Sequence, residues 1–246
     1  MDQSAGWAAP SFDVAGKRVL ISGGCGGIGA AFARAFCAAG ATPILADLQS
    51  PPDDLAAAGL AFHRLDVRDG EAVDALAGAI ERLEVLIHCA GKLVRWKEYE
   101  IETFREVIDI HLVGAMRLAT AFKPHLAASN GCIINIGSMY SYFGSPHIPA
   151  YGAAKTALAS LTKSLAIAWA NDRIRVNAIA PGWIKTEITR PGRENPDFNR
   201  KVLERLPIGR WAEPEELAGA AIFLASPAAG LVTGAILPVD GGYSAA

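Results

Sequence analysis

Seven short apolar runs recur along the chain, and stretches of helical length fill most of the gaps between them. Lys17–Ser22, Thr42–Asp47, Ala61–Asp66, Val85–His88, Cys132–Gly137, Arg173–Ile179 and Ala235–Val239 read as strands. A stretch from about Ile28 to Ala39, then Glu71–Glu81, Ile101–Phe122, Tyr151–Ala170 and Glu213–Leu224, read as helices. Strands alternating with helices predict βαβ units and a parallel sheet. The strands are apolar nearly throughout, as strands covered on both faces must be. The expected fold is α/β, a doubly wound seven-stranded parallel sheet with helices on both faces. At 246 residues and 51% hydrophobic composition, one generous domain has ample core. Residues 1–12 read as a flexible tail and 13–246 as the single domain. Pro51 and Pro52 leave room only for a short or irregular crossover after the second strand. Residues 183–207 are rich in Pro, Gly and charge, too long for an ordinary connection, and form a candidate substrate lid.

The first strand runs into Ser22-Gly23-Gly24-Cys25-Gly26-Gly27-Ile28-Gly29, which opens a helix. Glycines let the backbone turn sharply and let a pyrophosphate approach, while the helix N-terminus offers free N–H groups and a positive dipole end. Asp47 closes the second strand about 20 residues on, as a Rossmann-type dinucleotide site requires. A carboxylate there accepts hydrogen bonds from ribose hydroxyls and repels a 2′-phosphate. Neither Gly26 nor Leu48 offers a compensating positive charge, so the expected cofactor is NAD.

Two further patterns carry chemistry. Tyr151 and Lys155 lie four apart at the start of a helix, on one face. An ammonium near a phenol favours phenolate, so the pair predicts a base with a depressed pKa. Ser138 follows the fifth strand directly, and strand C-termini are where open α/β sheets place their sites. Its hydroxyl can donate to an oxygen that gains negative charge.

The remaining features exclude more than they assign. The net charge is −2 with no basic stripe, which argues against nucleic acid. No apolar run reaches the ~18 residues of a membrane span, and no secretory leader pattern opens the chain. Cys25, Cys37, Cys89 and Cys132 show no Cys-x-x-Cys spacing, so no metal site is expected and a reducing, cytoplasmic setting is. Cys25, in the glycine turn, reads either as an oxidation-sensitive thiol or as a small packing residue.

Together these residues resemble the short-chain dehydrogenase/reductase family, from about Lys17 to Tyr243. The family's glycine turn, acidic selector, Asp-Val, Asn-Asn-Ala-Gly, Ser, Tyr-x-x-x-Lys and Pro-Gly are met in order. Here they are Ser22–Gly29, Asp47, Asp66-Val67, His88-Cys89-Ala90-Gly91, Ser138, Tyr151–Lys155 and Pro181-Gly182. The resemblance implies that Tyr151 is the general acid/base, that Lys155 holds the nicotinamide ribose and that Ser138 orients the substrate oxygen. It implies adenine beside Asp66 and Val67, a cofactor floor of Cys89, Ala90 and Gly91, and nicotinamide and phosphate contacts from Ile184 and Thr186. Two departures stand out: His88-Cys89 replaces two asparagines, and His111 falls where the family has a catalytic asparagine. His111 reads either as a support for water and protons or as a buried, satisfied histidine.

Substrate contacts are expected from Arg95, Trp96, Ser138, Tyr140, His147, Tyr151, Trp183 and Arg190, a polar and aromatic set able to grip a carboxylate. Met139, Tyr142 and Phe143 read as pocket lining or as core. The likeness to NAD-dependent sugar and 2-keto-3-deoxy sugar acid dehydrogenases predicts interconversion of a secondary alcohol and a ketone on a small polar substrate. A 3-oxoacyl-type or general carbonyl reductase is the alternative enzyme, and an NAD-sensing binding protein the alternative of another class. The helices Ile101–Phe122 and Tyr151–Ala170 are apolar on more than one face, and in this family such helices pair into homodimers or homotetramers.

Overall fold

The computed structural model describes residues 10–246. In chain order its elements are β1 (Arg18–Ser22), α1 (Gly27–Ala38), β2 (Thr42–Asp47), α2 (Asp53–Ala57), β3 (Ala61–Arg64), α3 (Gly70–Ala79) and β4 (Val85–His88). Then come α4 (Ile101–Ile108), a π-helical segment (Asp109–Val113), α5 (Gly114–Ser129), β5 (Cys132–Ile136) and α6 (Pro149–Ala168). The chain finishes with β6 (Arg175–Pro181), α7 (Arg190–Glu194), α8 (Pro196–Arg205), α9 (Ala218–Ala225) and β7 (Ile236–Val239). All seven strands are parallel, in the order β3-β2-β1-β4-β5-β6-β7.

Strand periodicity splits the core in two. In β1, Val19 and Ile21 pack with α1 and α9, while Leu20 packs with α3 and α5 on the opposite face. That is the doubly covered sheet expected from unbroken apolar strands. The strand order reverses between β1 and β4, whose ends meet as the pair Ser22 and His88. A crevice opens at the carboxyl ends of strands at such a reversal.

Several boundaries differ from the sequence reading. Ile101–Phe122 is not one helix: the π-helical segment interrupts it, and α5 then continues to Ser129 through Pro124. Gly114 lies there because a Cβ would meet Val67 Cγ2 at 2.8 Å. The crossover after β2 is short, as expected, with one helical turn, α2, preceded by Pro52. Glu213–Leu224 divides into a 3-10 turn, Pro214–Leu217, and α9. Of the expected tail, residues 1–9 lie outside the described residues. Ser11 accepts from the Ala228 N–H at 2.8 Å, and the Phe12 ring lies 6.1 Å from that of Phe223. Residues 183–207 contain α7 and α8, anchored by an aromatic cluster of Trp183, Phe198 and Trp211.

Candidate active site

At the reversal point the glycine turn is shaped by close approach. Gly23 has φ +68°, and a Cβ on it would lie 2.7 Å from the Ala90 nitrogen. A Cβ on Gly29 would run into the Gly23 carbonyl. Gly27 differs: its Cβ would project across the cleft to Thr186 Cγ2, at 2.7 Å. Gly29 therefore lets α1 pack on the turn, Gly23 lets the loop after β4 approach it, and Gly27 lets Thr186 come against the first turn of α1. The backbone N–H groups of that first turn are donors that suit a pyrophosphate.

The cleft holds about 630 Å³. Its wall includes Gly23, Cys25, Gly27, Ile28 and Gly29 of the turn, Asp47 and Leu48 after β2, and Asp66 and Val67 after β3. It continues through Cys89, Ala90 and Gly91 after β4, then Pro181, Gly182, Ile184 and Thr186 after β6. The loops at the strand ends thus bring together every expected cofactor residue except Lys155, which sits behind Tyr151.

Asp47 is held facing the turn: Oδ2 accepts from the Cys25 N–H and Oδ1 from the Gln49 N–H, each at 3.0 Å. Burial, then the nearby Asp47 charge, pushes the Cys25 thiol up to about 11. Such a shift disfavours the thiolate that oxidation requires and accords with the packing role. Arg68, a basic side chain beside Asp66 and Val67 on the cleft wall, is already paired. It grips Asp66 at 2.6 Å and Glu106 at 3.1 Å, and its hydrogen bond holds the Asp66 carboxyl below its ordinary range.

The other end of the cleft holds Ser138 and Tyr151. Tyr151 stands in the first turn of α6, and Ser138 just beyond β5. Burial pushes the Tyr151 phenol up to about 12, against the opposing pull of its hydrogen bond to Ser138. Burial also brings Lys155 down to about 8. The Lys155 Nζ lies 5.4 Å from the Tyr151 ring centre and donates to the Ile136 carbonyl. Withdrawal from water thus works against the depressed phenol expected from the Tyr-Lys spacing, because phenolate is the form that loses hydration.

Two histidines pack behind this pair. His111 Nε2 lies 3.0 Å from the Lys92 nitrogen and 2.8 Å from the Lys92 carbonyl oxygen, while Nδ1 has no partner among the described residues. Its ring meets Tyr151 edge-on at 5.1 Å. Burial and the Lys155 charge hold it well below the usual histidine range. It is thus buried and bonded on one nitrogen only, between the two readings its sequence position left open. His88 Nδ1 lies 2.8 Å from Ser22 Oγ, and burial takes the ring down to about 3.

The expected substrate residues divide. Arg95, Ser138, Tyr140, Tyr151 and Trp183 reach the cleft wall. Trp96, His147 and Arg190 do not. Trp96 is 63% exposed and stacks on His147 at 4.4 Å, because positive φ at Trp96 turns its side chain outward. Arg190 lies on the outer side of α7, paired with Glu187 at 3.0 Å. Met139 lines the wall and also packs in the aromatic cluster, whereas Tyr142 and Phe143 stay off the wall. Sequence reasoning missed Glu98, which is fully buried and accepts from the Tyr151 N–H at 2.9 Å. No local signal marks a glutamate whose partner is 53 residues away.

Comparison with known proteins agrees with this geometry. The galactitol 2-dehydrogenase (L-tagatose-forming) of Cereibacter sphaeroides is 40% identical over 246 residues, 95% of this chain and 97% of that protein. The 2-dehydro-3-deoxy-D-gluconate 5-dehydrogenase of Bacillus subtilis is 37% identical, covering 97% of this chain and 98% of its own. Residues 23–244 match the short-chain dehydrogenase model described as enoyl-(acyl carrier protein) reductase. The chain belongs to the short-chain dehydrogenase/reductase family. Among solved structures, a gluconate 5-dehydrogenase from Burkholderia cenocepacia, in complex with NADP and tartrate, superposes with a TM-score of 0.90 at 33% identity. That match covers 96% of this chain and 98% of the other. This short-chain dehydrogenase is accordingly an oxidoreductase of CH–OH groups that works with a nicotinamide dinucleotide. None of its described helices is long and apolar enough to cross a membrane.

Proposed function

We propose that the protein is an NAD-dependent dehydrogenase of a sugar or keto-deoxy sugar acid, interconverting a secondary alcohol and a ketone. The observation that carries this reading is one continuous cleft, with the glycine turn and Asp47 at one end and Ser138 and Tyr151 at the other. The names of the relatives support the substrate class: galactitol, 2-dehydro-3-deoxy-D-gluconate and gluconate. Arg95 on the wall makes no ion pair among the described residues and so suits a carboxylate. The 3-oxoacyl-type alternative has less support, since none of these relatives is named for an acyl substrate.

NAD, when bound, supplies a positively charged hydride acceptor. Gly23, Gly27 and Gly29 would seat its pyrophosphate, Asp47 its adenosine ribose, and Val67 with Ala90 its adenine side. Asp47 favours NAD over NADP, since Arg68, a cation on the same cleft wall, is paired with two carboxylates. Ser138 donates to the substrate oxygen and holds it against Tyr151. The Tyr151 oxygen takes the hydroxyl proton in oxidation and returns it in reduction. Because burial favours the neutral phenol, oxidation gains rate as pH rises. Lys155 carries the cation that offsets the forming phenolate. Residues 183–207 act as the substrate lid, with Trp183 as its hinge-side anchor.

The same proposal takes the protein as a cytoplasmic homodimer or homotetramer. Its four cysteines are free, and Met116 on α5 and Ile167 on α6, with Val113 just before α5, leave apolar surface exposed. The deciding experiment is a screen of aldonic, keto-deoxy and free sugars with NAD at mildly alkaline pH, followed by Tyr151→Phe on the best substrate. A fall in kcat of about 10²-fold or more is expected. Full activity in that variant, or turnover of apolar ketones alone, overturns the reading.

A further inference from the structure

We propose that Glu98 is a positioning residue of the proton-transfer site. Its buried carboxylate ties the loop after β4 to the first turn of α6, and so governs both the seat of the substrate and the pH at which Tyr151 works. This rests on the reading of Tyr151 as the acid/base group.

Glu98 is fully buried, yet among the described residues it forms no ion pair. Its two oxygens go to two backbone donors instead. Oε1 accepts from the Val94 N–H at 3.0 Å, within its own loop, and Oε2 from the Tyr151 N–H at 2.9 Å. Pro149 opens α6, so the Tyr151 N–H belongs to the first turn and has no carbonyl partner inside the helix. A hydroxyl or an amide would satisfy it. A charge withdrawn from water is more than a helix start requires, and it persists only with a compensating arrangement.

The surroundings show what the arrangement holds. The loop after β4 clasps the segment that precedes α6. The Trp96 N–H donates to the His147 carbonyl at 2.8 Å, and the Tyr99 hydroxyl to the Pro146 carbonyl at 2.9 Å. Trp96 adopts φ +69° to make this turn. Glu98 sits at the centre of the clasp, and Arg95 projects from the same loop onto the cleft wall. Releasing Glu98 therefore loosens the substrate side of the cleft and leaves the glycine turn untouched.

The carboxylate also acts by its charge. The ionisable groups facing Tyr151 are Glu98 from the loop after β4, His111 from the π-helical segment, Tyr140 from beyond β5, and Lys155 from its own helix. His111 is held neutral by burial. Glu98 is thus the one carboxylate of the set, and it raises the phenol. Removing its charge lets phenolate form at lower pH.

The test compares Glu98→Gln, Glu98→Asp and Tyr151→Phe by pH–rate profiles of alcohol oxidation, substrate KM and NADH affinity by fluorescence. Glu98→Gln keeps the shape but loses the charge and one of the two N–H contacts. Its alkaline rise in kcat is expected about one pH unit lower, with substrate KM several-fold higher. Glu98→Asp keeps the charge but is too short to span both donors, so KM rises and the midpoint stays. NADH affinity stays within about two-fold in both. Superimposable profiles and KM for wild type and Glu98→Gln overturn the proposal, as do equal midpoint shifts in Gln and Asp. An active Tyr151→Phe instead removes the underlying assignment of Tyr151, which keeps the two failures distinct.

Discussion

Gly27 offers a perturbation whose two effects separate cleanly. In Gly27→Ala the backbone conformation is unstrained, since Gly27 lacks the positive φ of Gly23. Alanine is favoured over glycine in a helix by up to ~1 kcal/mol. Against this, the new Cβ lies 2.7 Å from Thr186 Cγ2 and 3.1 Å from Thr186 Cβ, so a χ1 turn costing ~0.5–1.5 kcal/mol must be joined by a small shift of the loop after β6. The terms nearly cancel, so Tm should move by less than ~4 °C. Cofactor binding has no such compensation. The methyl and the displaced Thr186 crowd the start of α1, and a pyrophosphate held away from the N–H groups there loses charge-assisted hydrogen bonds worth roughly 2–3 kcal/mol. That is a rise of about 30–150-fold in the Kd for NADH. Fluorescence titration gives the Kd, and a thermal melt on the same sample gives the stability. An unchanged Kd refutes this crowding argument. A Tm lowered by more than ~10 °C would mean that Gly27 serves folding instead. Gly23→Ala is the contrast, since its Cβ meets main chain, and it should lower Tm strongly.

Two other outcomes are expected. Asp47→Ser removes the charge that repels a 2′-phosphate, so the kcat/KM ratio of NAD to NADP should fall by about 10²-fold; a wild-type enzyme equally efficient with both cofactors contradicts the role of Asp47. His88 stays neutral in the fold, at about 3, while in the unfolded chain it titrates near ~6.5. As pH falls below that value the unfolded state binds a proton that the folded state does not, and stability declines by up to ~1.4 kcal/mol per pH unit toward about pH 3. Urea midpoints between pH 7 and pH 4 should show a shallower decline in His88→Asn, and parallel slopes would exclude a shielded ring.

Much was legible in the linear chain because it is written in local patterns. Apolar strands, their alternation with helices and the glycine turn are properties of neighbouring residues, and they sufficed for the parallel sheet and for Asp47, Ser138 and Tyr151 at strand ends or a helix start. The tertiary structure alone decided what burial does. Tyr151 and Lys155 have the spacing of a cation beside a base, yet their shared removal from water raises one and lowers the other. Trp96 and Arg190 have the right chemistry in the right loops, but positive φ and an outward helix face turn them away. Glu98 meets Tyr151 only because the sheet brings the loop after β4 against α6. Solvation and long-range contact depend on the whole packed chain, and no local pattern encodes them.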